Sequence, residues 1–272
     1  MSESIVERNI LTIVEPAIKL DPLEILDRES GTDNSDGEAM KDKPSLFSQL
    51  VPEIKVNGYD VSTEALNIFI LENNSFYPTL RLQFGDVDGL FTARFYPKDG
   101  DLIQVNIRSQ GDETTFKPIR IDFTIIDCKP IGGGGGAAAN QYLILGRMFV
   151  PKLFAESVEY EEDVTSFNAL LNIAEKMELG FASNVEDTAD QMTWTNPNDT
   201  TETWIQDIVA NSYLSDETFF TSYIDPYYYL TLVDVNRFFS QEGAIEASQS
   251  FSQNAGDTMG ADGGVGQSDG VP

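Results

Sequence analysis

Residues 120–127 read Arg-Ile-Asp-Phe-Thr-Ile-Ile-Asp (RIDFTIID). Apolar and polar side chains alternate there, with Ile121, Phe123 and Ile125 on one face and Asp122 and Thr124 on the other. A period of two is the mark of a strand with one face against a core. Tyr142 to Val150 is a second strand on the C-terminal side. Between the two lie Gly132 to Gly136 and then Ala137 to Ala139. This glycine run lacks the Gly-Lys-Ser/Thr ending of a phosphate-binding loop, so it reads as a flexible hairpin tip.

Working towards the N-terminus, short apolar runs recur at Leu102–Ile107, Leu90–Tyr96, Leu80–Phe84 and Ile68–Ile70. Turn signals separate them, among them Tyr77-Pro78, Gly85-Asp86 and Lys98-Asp99-Gly100-Asp101. Several short strands at this spacing predict a small antiparallel barrel or sandwich over residues 51–158. Residues 1–50 read as an acidic arm, with a charged linker from Asp27 to Lys43. Two apolar clusters precede that linker, Ile10 to Val14 and Leu20 to Leu26. A frayed arm and a peptide that orders on a partner both fit them.

Beyond residue 158 the period changes. Phe167, Leu170, Leu171, Ala174 and Met177 mark a helix that Thr165 can cap and Gly180 ends. A second helix starts near Asp199, with Glu202 in its first turn and Trp204, Ile205, Ile208 and Val209 as its buried stripe. Ser215 begins a third, through Phe219 to Ile224, which Pro226 stops. Tyr227 to Phe239 (YYYLTLVDVNRFF) reads as a strand covered on both faces. Residues 159–240 therefore form a second, helix-containing domain with a returning strand. Residues 241–272, rich in Gly, Ser, Gln and Asp, form a low-complexity tail.

Composition removes much chemistry. The chain has 45 acidic and 17 basic residues, a net charge of −28. Such a chain repels nucleic acid, whose phosphates need a basic face, and anionic membrane surfaces. No segment approaches the apolar length of a membrane span, and no basic-then-apolar signal peptide starts the chain. With no histidine, the commonest general base and metal ligand is missing. One cysteine, Cys128, allows no intrachain disulfide or thiolate zinc site and suits a reducing compartment.

The remaining candidates for chemistry are carboxylates. Asp86 and Asp88 begin like a calcium loop, but Leu90 takes the next ligand position and no Glu closes it. The acidic run Glu159, Glu161, Glu162 and Asp163 suits the N-terminal dipole of the helix that follows. A glycoside hydrolase needs only two carboxylates and no histidine, but nothing singles out a pair. The expectations are no catalytic residue, no cofactor and no metal site. Tyr227, Tyr228, Tyr229, Phe238, Phe239, Trp194 and Trp204 are the packing or interface candidates, since large aromatics dominate both cores and interfaces.

One resemblance is specific in order. A helix ending in Leu179-Gly180-Phe181-Ala182-Ser183-Asn184 is followed by Met192-Thr193-Trp194-Thr195-Asn196-Pro197. Next come Trp204-Ile205, then Ser215-Asp216-Glu217-Thr218-Phe219-Phe220, then the tyrosine-rich strand. This order resembles the baseplate hub proteins of contractile-tailed bacteriophages. The resemblance implies an α+β fold, mainly antiparallel small β-barrels of tail-tube type with a helical insertion. It implies a homotrimeric ring in the virion that joins the tail tube to the central spike and contacts other baseplate proteins. The chain departs from the pattern after Phe239, where more strands would finish a second barrel. Rival readings are a cell-wall glycoside hydrolase of the tail and a monomeric assembly chaperone or binding module.

Overall fold

The computed structural model describes residues 10–20, 50–98, 100–109, 118–132 and 140–240. RIDFTIID lies in a long strand, Ile119–Ile131. In chain order the strands are β1 (Thr12–Val14), β2 (Leu50–Val56), β3 (Tyr59–Val61), β4 (Leu66–Glu72), β5 (Thr79–Asp86), β6 (Leu102–Ser109), β7 (Ile119–Ile131) and β8 (Asn140–Met148). Strands β2 to β8 form one antiparallel sheet in the order β3-β2-β6-β7-β8-β5-β4. Ile121, Phe123 and Ile125 are buried, as their alternation predicts. After Ile125 the register slips by one residue against β8, and the bulged Ile126 turns outward.

The sheet curls. Tyr59 on β3, at one end of the strand order, stacks on Phe84 of β5, near the other end, at a centroid distance of 6.1 Å. Phe91 fills the space between, 5.5 Å from Tyr59, 5.0 Å from Phe84 and 4.9 Å from Tyr142. The result is a half-barrel. Among the described residues β3 and β4 are its edges, and no backbone pairing joins them.

The expected strand at Leu90–Tyr96 is instead a π-helical turn, Phe91–Phe95. The carboxylate of Asp86 accepts from the Phe91 N–H (3.2 Å), the Thr92 N–H (2.9 Å) and the Thr92 hydroxyl. Those bonds wind the chain at the point where the apolar run alone suggested extension.

The second unit comprises β9 (Glu156–Val164), α1 (Ser166–Lys176), β10 (Gly180–Ser183), β11 (Met192–Thr200), α2 (Thr201–Ala210), β12 (Phe220–Ile224), β13 (Tyr229–Asp234) and α3 (Val235–Ser240). Thr165 caps α1 by accepting from the Asn168 N–H, and Thr200 caps α2 by accepting from the Thr203 N–H. β9 and β11 make a two-stranded ribbon. The other strands form a mixed sheet ordered β1-β10-β13-β12, with β10 parallel to β13. The fold class is α+β and mostly antiparallel, but the expected second barrel is this four-stranded sheet beside a ribbon.

Three further expectations change. Thr12–Val14, inside the arm, is a strand paired with β10. The helix expected from Ser215 is a short turn, in which Thr218 N–H donates to Ser215 C=O (3.1 Å), followed by β12. Phe219 and Tyr223 sit four apart, which suits a helix, but Phe220 and Ile224 are the residues buried. The long strand expected over Tyr227–Phe239 covers only Tyr229–Asp234, since α3 begins at Val235. Asp234 marks the break, with its Oδ1 accepting from the Asn236 N–H at 3.1 Å. The linker at Asp27–Lys43, the core of the glycine tip and the tail after Ser240 lie outside the described residues. The flanks of the tip, β7 and β8, are hairpin partners.

Gly180 sits where β1, β10 and β13 converge. A methyl group placed on it would lie 2.6 Å from Tyr229 Cδ1 and 2.7 Å from the Val14 carbonyl oxygen. Neither neighbour can retreat freely, because one is in the core strand and the other is backbone. Gly180→Ala is expected to push β1 off its partner at a cost of about 1–3 kcal/mol. Faster amide exchange over Leu11–Ile18 is the readout, since Leu11, Ala17 and Ile18 bond to Ser183 and Glu178 through their N–H groups.

Candidate functional site

The residue types that build surfaces in this chain meet first at the junction of its two units. The turn before β13 carries Tyr227, Tyr228 and Tyr229. Asp225 Oδ1 accepts from the N–H groups of Tyr227 and Tyr229, both at 2.9 Å. Tyr228 is held in the left-handed region, φ 67°, and is 2% exposed. Its phenol oxygen accepts from the Asp122 N–H at 3.0 Å. Asp122 is only 4% exposed and is ion-paired with Arg120. The polar face of RIDFTIID is therefore covered by the second unit. Burial pushes the Tyr228 phenol well above its ordinary value, with the Asp122 charge acting the same way.

A second contact lies beside it. Ile224 N–H donates to Phe76 C=O at 2.6 Å, and Glu202 N–H to Leu153 C=O at 3.0 Å. The Arg147 guanidinium lies 3.6 Å from the centre of the Phe154 ring, which Tyr77 meets edge-on at 5.4 Å. Burial raises the Glu202 carboxyl, an effect that Arg147 opposes. The two units share one continuous apolar core.

The other aromatic candidates divide by place. Tyr229 is buried, and its hydroxyl donates to Glu15 of the N-terminal segment. Burial and then that carboxylate raise its phenol. Trp194 is buried under the ribbon and donates from Nε1 to Val164 C=O at 3.0 Å. Trp204 is buried on α2. Phe238 and Phe239 of α3 form an edge-on pair at 5.6 Å, with Phe239 73% exposed.

The acidic run has a different role from the one expected. Glu159 and Glu161 lie on a strand, and Lys176 in the last turn of α1 reaches both, at 3.2 and 2.6 Å. They tie the ribbon to the helix's C-terminal end instead of serving an N-terminal dipole. The outer face of the ribbon shows Val158, 76% exposed, and Tyr160, 66% exposed. Asp86 holds the π-turn as described, and Asp88 Oδ1 accepts from the Leu90 N–H at 2.9 Å. Among the described residues no group of three or more His, Cys, Asp or Glu is arranged to hold a metal, and no helix is long and apolar enough to cross a membrane.

The sequence reading missed one buried carboxylate network. Asp190 accepts from Ser166 N–H (2.9 Å), Ser166 Oγ (2.7 Å), Thr188 Oγ1 (2.8 Å) and Tyr213 N–H (2.7 Å). Burial raises its carboxyl, but those donors outweigh burial and hold it below the ordinary value. It ties the start of α1 to the segment after α2. No periodic pattern in the sequence marks it.

No protein-family model and no curated protein matches the chain. Among solved structures it is similar to the 43 kDa tail protein of prophage MuSo2 from Shewanella oneidensis. That pair is 12% identical with a TM-score of 0.46, over 68% of this chain and 54% of the other. The tail protein from Neisseria meningitidis MC58 is 11% identical with a TM-score of 0.42, over 67% of this chain and 50% of the other. This chain spans about half the length of each.

Proposed function

We propose that this protein is a structural component of a contractile phage tail, placed in the baseplate hub as a homotrimeric ring between tail tube and central spike. The observation that carries this reading is the half-barrel whose two edges, β3 and β4, are unpaired among the described residues. An unpaired edge is a template for a neighbour's strand. Heterologous contact between two different edges of one chain generates a ring when the rotation closes. The β4 edge of one copy against the β3 edge of the next makes a tube-like wall. The resemblance of segments 167–239 to hub proteins supplies the particle and the place within it. An acidic surface suits such a wall, since it repels the DNA that a tail must pass.

The junction supports the same reading. The Asp122–Tyr228 and Ile224–Phe76 hydrogen bonds hold the second unit against the sheet. Native mass spectrometry of the purified chain is the test. A trimer of the 30.1 kDa chain is the expected result, and electron microscopy of it should show a ring. A strict monomer at micromolar concentration that is also missing from purified virions overturns the proposal.

A further inference from the structure

The second sheet has an edge of its own, and its surroundings define what fits there. β12 ends the order β1-β10-β13-β12. Its antiparallel register with β13 pairs Phe220 with Asp234, Ser222 with Leu232 and Ile224 with Leu230. Ile224 N–H turns away from β13 to the Phe76 carbonyl. In an antiparallel ladder the outward-facing residues alternate, so Phe220 and Ser222 also turn their N–H and C=O groups outward. Those groups find no backbone partner among the described residues. Ser222 Oγ is closed off from water and has no hydrogen-bond partner there either.

This edge faces a groove of about 790 Å³. Gln206, Val209 and Ala210 of α2 form one wall, and Asn74 forms part of the other. Phe219, 64% exposed, and Tyr223 stand on the strand side. No lining residue is charged. In the stretch that supplies α2 and β12, every charged side chain from Met177 to Asn236 is Asp or Glu. Asp207, Asp216, Glu217 and Asp225 belong to that stretch, and Glu72 ends β4.

The geometry points to a docking slot for one extended polypeptide segment of a different protein, added as a strand beside β12. Phe76 already takes the position at Ile224, which leaves the outward groups of Phe220 and Ser222 for the added segment. The segment has alternating small apolar or hydroxyl side chains, which meet Val209 and Ala210 on one face and Tyr223 on the other. It carries Lys or Arg at its ends, opposite the acidic surroundings. A second copy of this chain, with net charge −28, is the wrong electrostatic partner for this slot. The inference does not rest on the ring proposed above. A strict monomer that is missing from virions and still takes such a segment would overturn the ring and leave the slot standing.

The test uses the full chain and three synthetic peptides: KKVTVTVKK, the same core with glutamate ends (EEVTVTVEE), and KKVTVTVKK with alternate backbone nitrogens methylated. Binding is read by fluorescence polarisation and placed by amide exchange in NMR. The lysine-ended peptide is expected to bind saturably and to slow exchange at Phe220 and Ser222. Methylation, glutamate ends or the variant Ala210→Arg should each weaken it by about tenfold or more. Ala210 is an exposed helix position, so that variant keeps its fold, which circular dichroism checks. Three results overturn the inference: no saturable binding of KKVTVTVKK, equal binding of the methylated peptide, or protection that falls on β3 or β4 instead of β12.

Discussion

Asp190→Ala is expected to destabilise the protein by about 3–5 kcal/mol, measured as a lower urea midpoint. The loss is large because the carboxylate serves four donors and two of them are backbone N–H groups. Ser166 would keep a buried N–H, and Tyr213 a partly buried one, without the carboxylate that receives them. The start of α1 would then lose its tie to the segment after α2. Asp190→Asn is milder in shape but changes the response to acid. The folded state holds this carboxyl below its ordinary value, so its contribution is full above about pH 4 and fades as pH falls through the lowered value. Asp86 and Glu159 are shifted in the same direction and share that acid limb. The Asn variant should therefore show a shallower loss of stability below pH 4 than the parent, while Asp86 and Glu159 keep the remainder.

Tyr228→Ala is expected to cost about 3–5 kcal/mol, as for other large buried aromatic side chains. Tyr228→Phe keeps the ring and removes only the acceptor for the Asp122 N–H, so it should cost about 1–2 kcal/mol. The gap between the two separates packing from hydrogen bonding at the junction. Alkali gives a second reading. Burial raises this phenol, so its contribution is full below about pH 10 and is lost as pH rises above that. The Phe variant should lose part of the alkaline decline. Tyr229 is raised as well and keeps its own share.

The fold was legible wherever one period dominated. RIDFTIID placed its buried face correctly, and Thr165 and the stripe from Phe167 to Met177 placed α1. The failures have physical causes. Leu90–Tyr96 carries strand-like composition, but three bonds to a carboxylate upstream wind it. Phe219 and Tyr223 mimic a helix stripe, yet pairing with β13 decides the conformation. The alternation put Asp122 on the face opposite the core, and a sequence pattern cannot show a second unit covering that side. The aromatic candidates were found by type, but their placement was not readable. Tyr228 and Trp204 are buried, whereas Phe239 is exposed, and only tertiary packing separates them. The β12 edge gave no signal at all, since an edge is defined by the strand that is missing beside it.

The pairing of β1 with β10 also sets a timetable. Thr12 meets Ser183 across most of the chain's length, so β1 waits for β10, the tenth of the thirteen described strands, to emerge. Closing so long a loop costs entropy before any contact returns it. The half-barrel needs nothing beyond Met148 for its own pairings and can form while the ribosome is still working. Without β1 the sheet of the other unit would be β10-β13-β12, with β10 as an open edge. β1 is thus the built-in cover of that edge, supplied from far away in the chain.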